Sequence, residues 1–486
     1  MVGQLSFDRA SAVPFHRQIY EGYRAAILTG AARPGQQLPP TRALAEELEI
    51  SRLPVLRAYE QLLHEGYTEG RVGLGTFVAE AIPDAVEYAG SAVTPRATVL
   101  RSKLSPPRRH RLDLPSTLPP HWQILAPFRE GLPALDAFPH RVWARLLRRH
   151  ATRMPDELMA YGETVGYGPL RAAIADHLRA KRAVRCEPSQ VLVVSGAQMA
   201  IAVAALALLG PDDVACREEP GYPGARHGFG LTGRTVVPVP VDAAGIDVDR
   251  LAAVGRRARL VYVTPSHQYP LGASLSPERR CQLLDWAASN DSWILEDDYD
   301  RDYRYVGRPL PALQSDDTAD RVIYIGSFSK VLFPSLRIGY VVVPEQLVEP
   351  FVHVRVALDV ASSTLDQAVL ADFIDEGHLD RHVRRTRNIY LARRDALVRS
   401  IDQHARGLLT VAGQDAGMQL AAFLPAGVDD REVVRLAAER GVSANPLSRY
   451  YMGEPRSGLV LGFACARENE TEWALRTLSS VVRGLM

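Results

Sequence analysis

The stretch Ser327-Phe328-Ser329-Lys330-Val331-Leu332-Phe333-Pro334-Ser335-Leu336-Arg337-Ile338-Gly339-Tyr340 lies late in a 486-residue chain with 57 basic side chains, of which only Lys103, Lys181 and Lys330 are lysines. Arginine serves wherever positive charge alone is wanted, but it cannot lose its proton and act as an amine nucleophile. A lysine kept after Ile323-Tyr324-Ile325-Gly326 therefore has a Schiff-base reading beside the plainer one of a solvated surface lysine. The surrounding motifs decide between the two.

The run Val322–Ile325 has the character of a strand, as do Val191–Val194, Leu260–Val263, Trp293–Leu295 and Ile338–Val342. Short apolar runs spaced by helical stretches predict a mainly parallel sheet covered on both faces. In such sheets ligands gather at the strand ends. Ser195-Gly196-Ala197-Gln198 falls at one of these ends, before a helix over Met199–Leu209, where backbone N–H groups suit an anion. A small-residue turn before a helix is also an ordinary helix start.

Glu296-Asp297-Asp298-Tyr299 follows the strand ending at Leu295. Acids at a strand end suit a metal, but no histidine or cysteine cluster accompanies them. With Lys330 downstream they suit pyridoxal 5′-phosphate (PLP), because a carboxylate facing the pyridine nitrogen keeps it protonated and the ring able to take up electrons. Ser327-x-x-Lys330 also matches the serine–lysine start of β-lactamases, in which the serine is the nucleophile. Those proteins need a later Lys-Thr-Gly, and no lysine follows Lys330.

At the other end of the chain, Phe15, Ile19, Tyr23, Ala26 and Ile27 recur at helical spacing up to Gly30. Thr41 is placed to cap a second short helix carrying Leu44, Ala45 and Leu48, and Ser51 a third that turns Val55, Leu56, Tyr59, Leu62 and Leu63 inward. Arg71-Val72-Gly73-Leu74-Gly75-Thr76-Phe77-Val78 reads as a glycine-turned hairpin. Three helices and a hairpin make a winged helix-turn-helix, which sets one helix in the major groove while wing and helix starts meet phosphate. A small helical cap with incidental arginines is the competing reading, and acidic residues over the same span leave charge unable to choose.

Leu38-Pro39-Pro40-Thr41-Arg42-Ala43-Leu44-Ala45, Ser51-Arg52, Ala58-Tyr59-Glu60-Gln61-Leu62 and Gly75-Thr76-Phe77-Val78 resemble the DNA-binding domain of GntR-type repressors. The resemblance implies DNA contacts from Arg42, Ser51, Arg52, Arg57, Gly73, Gly75 and Thr76. Leu53-Pro54 departs from the small polar residues usual after Ser-Arg, which implies a different operator sequence.

Thr264-Pro265-Ser266-His267-Gln268-Tyr269-Pro270-Leu271-Gly272, Glu296-Asp297-Asp298-Tyr299-Asp300 and the Ser327–Tyr340 stretch resemble the fold-type I aminotransferase domain of the MocR/GabR branch of GntR regulators. The implied architecture is α/β with a small α+β amino-terminal domain: a winged helix-turn-helix (1–80), a flexible Pro/Arg-rich linker (81–126) and a three-layer α/β/α PLP-binding domain (127–486), its small subdomain from about 359. By resemblance Lys330 holds PLP as an aldimine, Asp297 pairs with the pyridinium, Tyr299 donates to the 3′ oxygen, Tyr222 stacks on the ring and Tyr269 lies near the 3′ oxygen. Ser195, Ala197, Gln198, Ser327, Ser329 and Arg337 cradle the phosphate. Tyr161-Gly162 and Tyr167-Gly168-Pro169-Leu170-Arg171 resemble a family segment near the cofactor. Such sites lie at a homodimer interface, so the partner subunit is expected to contribute.

Aminotransferases carry an arginine in the last strand of the small domain that clamps the substrate carboxylate bidentately; Val460 stands in its place. Arg449 is the nearest replacement as an effector-binding residue, with a surface ion pair to Glu454 as its alternative.

The composition is that of an ordinary globular chain of at least two domains, 47% apolar and 23% charged, with a formal net charge of +1. Cys186, Cys216, Cys281 and Cys465 have neither CxxC spacing nor a disulfide framework. The longest apolar run, near Ala200–Leu209, is too short to cross a bilayer. A cytoplasmic protein is expected. From Ser91 to Leu112 the linker carries Arg96, Arg101, Lys103, Arg108, Arg109 and Arg111 without an acid, and reads as a solvated tether or one that also touches phosphates.

The expectation that unites these readings is a transcription regulator that binds double-stranded DNA and senses an amine, an amino acid or PLP itself through aldimine chemistry at Lys330. It is not an enzyme on this reading, although slow half-transamination is compatible with the motifs. The alternative is a working aminotransferase with an appended helical domain.

Overall fold

In a computed structural model the structure describes residues 8–9, 11, 13–71, 73–80, 126–307 and 310–486. The expected linker, apart from Ala126, and Val72 of the hairpin lie outside the described residues. The chain forms two compact units, Met1–Pro107 and Arg108–Met486.

The amino-terminal unit consists of α1 (Phe15–Leu28), α2 (Thr41–Glu47), α3 (Arg52–His64) and the antiparallel pair β1 (Thr68–Arg71) and β2 (Gly75–Val78). Ile19, Tyr23 and Ile27 of α1 meet Leu44 and Ala45 of α2 and Val55, Ala58, Tyr59 and Leu62 of α3 in one core. The Tyr23 and Tyr59 rings pack edge to face with centroids 5.7 Å apart. The wing is fixed from outside: the Gln37 amide donates to the Leu74 carbonyl at 2.6 Å. Gly75 takes φ of +114°, and a Cβ there would stand 3.0 Å from Gln37 Nε2.

Three sequence expectations are corrected here. Thr41 is the first helical residue of α2, with Pro40 at the N-cap, so its hydroxyl serves another purpose. Ser51 occupies the N-cap of α3 but makes no capping hydrogen bond. Leu63 faces outward at 49% exposure, because the four core positions of α3 recur at three- and four-residue intervals and end at Leu62.

The larger unit is built on an eight-stranded sheet in the order β3-β10-β9-β8-β7-β4-β5-β6. The strands are β3 (Val191–Val194), β4 (Val214–Glu219), β5 (Thr235–Asp242), β6 (Gly245–Ile246), β7 (Ala258–Val263), β8 (Trp293–Asp297), β9 (Val322–Ser327) and β10 (Gly339–Val342). Five central strands pair in parallel, and β10 runs antiparallel between β3 and β9. Helix Ala197–Leu208 covers one face, meeting Leu192, Leu260, Leu295 and Ile323 in a buried core. Helices Gly168–Arg182 and Thr364–Asp375 pack with Val191, Val193, Tyr324 and Val342 in a second core.

The sequence reading missed β4 and β5. Arg217, Glu218 and Glu219 interrupt the apolar run of the first, and Pro238 and Pro240 that of the second, whose other neighbour is only the two-residue β6. It also ended β8 two residues early: the buried Glu296 and Asp297 belong to the strand.

A four-stranded antiparallel sheet, β11 (Thr410–Ala412), β12 (Gln419–Phe423), β14 (Gly458–Gly462) and β13 (Asn445–Pro446), forms the second layer system of this unit. Its core takes in Tyr390 and Leu397 of helix His378–His404 together with Phe128, Ala134 and Ala137 from the start of the unit. Through Phe128, which bridges Gly462, the segment from 126 to 137 is held against the small sheet. Among the described residues no helix is long and apolar enough to cross a membrane.

Candidate functional site

Strand register brings the polar motifs to one sheet edge. Asp297 at the end of β8 pairs with Ile325 of β9, and Gly339 of β10 stands opposite both Ser327 at the end of β9 and Val194 at the end of β3. A Cβ on Gly339 would lie 2.8 Å from the Gly196 Cα, so only glycine lets these strand ends close up. The edge thus gathers the Ser195–Gly196 turn, Ser327, Asp297 and the Lys330 that follows β9.

Lys330 is part-exposed, and its Nζ donates to the Gly131 carbonyl at 3.1 Å. Burial lowers its pKa, against the opposing pull of the Glu130, Asp297 and Asp300 carboxylates. A lowered ammonium pKa makes the neutral, nucleophilic amine easier to reach. A Cβ on Gly131 would stand 2.5 Å from the amine, so the glycine keeps this space open.

Asp297 is buried. Its Oδ2 accepts the Tyr262 hydroxyl at 2.7 Å, while Oδ1 has no hydrogen-bond partner among the described residues. Burial, with the Asp298 and Asp300 charges adding to it, pushes its pKa up to about 7 despite the Tyr262 bond and the Lys330 charge. A buried, unsatisfied carboxylate oxygen is costly, and a cationic N–H facing it would relieve that cost. The neighbouring acids are already engaged: Glu296 accepts the backbone N–H groups of Leu313 and Gln314, and Asp298 holds Arg182 and the Tyr324 hydroxyl.

Tyrosines surround this centre. The Tyr269 ring lies edge-on to Tyr222 (5.7 Å between centroids), Tyr299 (5.6 Å) and Tyr450 (5.4 Å). Tyr222 also neighbours Tyr262 at 6.1 Å, and burial pushes its pKa up to about 12. Tyr299 is held in a polar chain, its hydroxyl 3.0 Å from His267 Nδ1 and accepting from Gln419 Nε2 at 3.0 Å. His267 Nδ1 in turn lies 2.7 Å from the buried Asp300 carboxylate. Burial works against protonation of His267, but Asp300 more than offsets it and the pKa is raised.

The expected anion cradle is partly preformed. Arg337, left-handed at φ of +53°, donates to the Ser195 carbonyl at 2.7 Å, which aligns its guanidinium with the turn that opens helix Ala197–Leu208. Ser327 Oγ accepts the Ser329 N–H at 3.2 Å. Ser329 Oγ is buried without a partner among the described residues. The Ser195 hydroxyl lies 3.3 Å from both Asp359 Oδ2 and Ser362 Oγ. Gln198 spends its amide on the Gly224 carbonyl at 2.9 Å, so it offers this edge its backbone N–H.

Val460 is fully buried in a small cluster with Leu447 and Tyr450, on a strand flanked by Ala421 and Asn445. Arg449 belongs to the short 3-10 turn Leu447–Tyr450, and its charge reaches Glu130, Tyr222 and Tyr450. Its neighbour Tyr450 donates to Glu130, which sets Arg449 beside this group, and among the described residues no ion pair to Glu454 is formed.

In the amino-terminal unit Arg42, Ser51, Arg52 and Arg57 are exposed. Arg52 Nε donates to Thr41 Oγ1 at 3.0 Å, tying the starts of α2 and α3 together. Gly73 and Gly75 lie at the wing turn with positive φ, and Thr76 pairs with Gly70 across it.

Sequence reasoning gave no role to Tyr262, Glu130, His267 or Asn445. Tyr262 was legible as a strand residue only; the parallel register Tyr262↔Leu295 brings it beside Asp297. Glu130 lies far upstream, and no short-range pattern links it to Lys330.

Both units resemble known protein families. Residues 131–477 match the family of aminotransferases class I and II, and residues 15–78 match the gntR family of bacterial regulatory proteins. The chain is 42% identical over 464 residues to the probable rhizopine catabolism regulatory protein MocR of Rhizobium meliloti, covering 95% of this chain and 92% of that one. It is 32% identical over 467 residues to the pyridoxine biosynthesis transcriptional regulator PdxR of Corynebacterium glutamicum, covering 96% and 95%. Among solved structures it resembles LysN, the α-aminoadipate aminotransferase of Thermus thermophilus, with a TM-score of 0.69 and 28% identity over 74% of this chain and 92% of that one.

Proposed function

Because this chain belongs to the MocR type of GntR transcription regulators, a winged helix-turn-helix joined to an aminotransferase class I and II domain, we propose that its larger unit holds PLP at Lys330 and that occupancy of this site controls DNA binding. The observation that carries the proposal is the pair formed by the part-exposed Lys330 amine and the unpartnered, buried Asp297 Oδ1. One is a nucleophile and the other an acceptor for a ring N–H.

The residues present fit PLP. Lys330 would bind its carbonyl carbon, Asp297 its ring nitrogen, Tyr222 its ring face, and Arg337 with the Ser195–Ala197 turn, Ser327 and Ser329 its phosphate. Bound PLP supplies an electrophilic carbonyl for amines and a ring that stores electrons. Asp297 keeps a proton at the ring nitrogen, and Tyr262 holds the carboxylate in line. Tyr299 is oriented by His267 and Gln419, and Tyr269 by the rings of Tyr222, Tyr299 and Tyr450. A ligand shifts DNA affinity only by as much as it discriminates between the two states of the protein.

The relatives that regulate rhizopine catabolism and pyridoxine biosynthesis support two effector classes, a small catabolite and a compound of pyridoxine metabolism. Turnover as an aminotransferase is the second reading. The likeness to LysN and the Lys330–Asp297 pair favour it, and the apolar surroundings of Val460, where the carboxylate clamp is expected, speak against it.

The test is spectroscopic. Addition of PLP to the purified protein should produce a visible absorption band that Lys330→Ala lacks, and amines should shift it. A protein that binds PLP equally well in both forms would overturn the assignment of Lys330.

A further inference from the structure

Glu130 adjoins Gly131, whose carbonyl receives the Lys330 amine. Asn445 Nδ2 and the Tyr450 hydroxyl both donate to the same Glu130 oxygen, Oε2. Its Oε1 accepts no hydrogen bond among the described residues, and the side chain keeps part of its surface exposed. One oxygen therefore fixes the carboxylate while the other is presented. Tyr450 also packs edge-on to Tyr269, so Glu130 borders the tyrosine group as well as the Gly131 carbonyl that receives Lys330; burial raises its pKa, while the Tyr450 and Asn445 hydrogen bonds and the Lys330 charge hold it toward the carboxylate.

A carboxylate in this position discriminates between ligands. A second carboxylate brought beside it meets like charge and displaces water from both, whereas a hydroxyl or ammonium hydrogen satisfies the open oxygen. Where aminotransferases place the clamping arginine the site offers an acid an apolar wall instead, Val460 being buried with Leu447 and Tyr450, and the Arg449 charge is shared with Glu130.

We infer that Glu130 selects the effector: its Oε1 takes a hydrogen from the ligand's second polar group, so the amine sensed at Lys330 is an amino alcohol or a diamine and not an amino acid. This rests on the reading of Lys330 as the amine-binding centre. Glu130 is thus a specificity-determining residue.

The test uses the full-length, PLP-loaded protein titrated with ethanolamine, putrescine, glycine and β-alanine, followed by absorbance and by calorimetry. Ethanolamine and putrescine should bind at least about tenfold more tightly than the two amino acids, the scale of one hydrogen bond to a charged group. Glu130→Gln should shrink the preference for putrescine, and Glu130→Ala should abolish both preferences. Equal or tighter binding of the amino acids by the wild-type protein overturns the inference and leaves the Lys330 reading standing. So does a preference that both variants retain. A PLP-loaded protein that responds to none of the four, by either readout, overturns amine sensing and this inference with it. Should Glu130→Ala fail to fold, the wild-type ranking and Glu130→Gln decide.

Discussion

Asp297 shows how a single residue can record what it is built to meet. Burial pushes its pKa from 3.8 up to about 7, so between those pH values the folded, cofactor-free protein keeps a proton there which the unfolded chain has lost. The associated stability is fully present below pH ~4 and is lost as pH rises through ~7, up to about 4 kcal/mol at the limit of that shift. Glu218 and Glu296, also pushed up to about 7 by burial, add to the slope. Thermal melts of the cofactor-free protein from pH 5 to 8 should therefore show the wild type losing stability relative to Asp297→Asn. PLP should flatten the wild-type profile by giving the carboxylate a cationic partner; parallel profiles for the two proteins would refute the assignment. Gly131 supplies a second residue-level prediction. Gly131→Ala adds about 1–2 kcal/mol of left-handed strain at φ of +70° and drives a methyl group against Lys330 Nζ. Its PLP affinity should fall well beyond its modest loss of melting temperature, and equal PLP affinity in variant and wild type would contradict the close approach.

At the scale of elements, the DNA-reading surface we propose consists of α3 and the wing. Arg52→Ala removes an exposed side chain whose one hydrogen bond goes to Thr41, so the fold should lose no more than about 1 kcal/mol. Operator affinity should fall by about 1–3 kcal/mol if the guanidinium reads a base. A binding assay that finds unchanged affinity and selectivity would remove Arg52 from the contact surface. Elements with a clean apolar period were legible in the sequence: α1, the core face of α3, β3 and β9. Those whose character is set by their neighbours were not. The charged end of β4 and the prolines of β5 conceal strands that only sheet pairing reveals, and Ser51 has a capping residue's identity without its hydrogen bond. The Lys330 edge was legible because its motifs are local. The Glu130–Asn445–Tyr450 group was not, since β13, the short turn after it and the segment after Pro127 meet only through the small sheet.

In the whole molecule one chain carries a GntR-type DNA-binding unit and an aminotransferase-like unit, and linkage makes coupling between DNA and the ligand proposed here reciprocal. If PLP or an amine changes operator affinity by some factor, operator DNA must change the affinity for that ligand by the same factor. Operator binding should also weaken steeply with salt, as phosphate contacts release counterions. The most direct test measures affinity for an operator, selected from random DNA with the wild-type protein, in the absence and presence of PLP and of an amine that shifts the visible band. The wild type should change affinity by roughly 5- to 150-fold, whereas Lys330→Ala should bind the operator with one affinity under all conditions. No change in the wild type, or the same change in Lys330→Ala, would contradict the claim that this lysine is where the regulator senses its ligand.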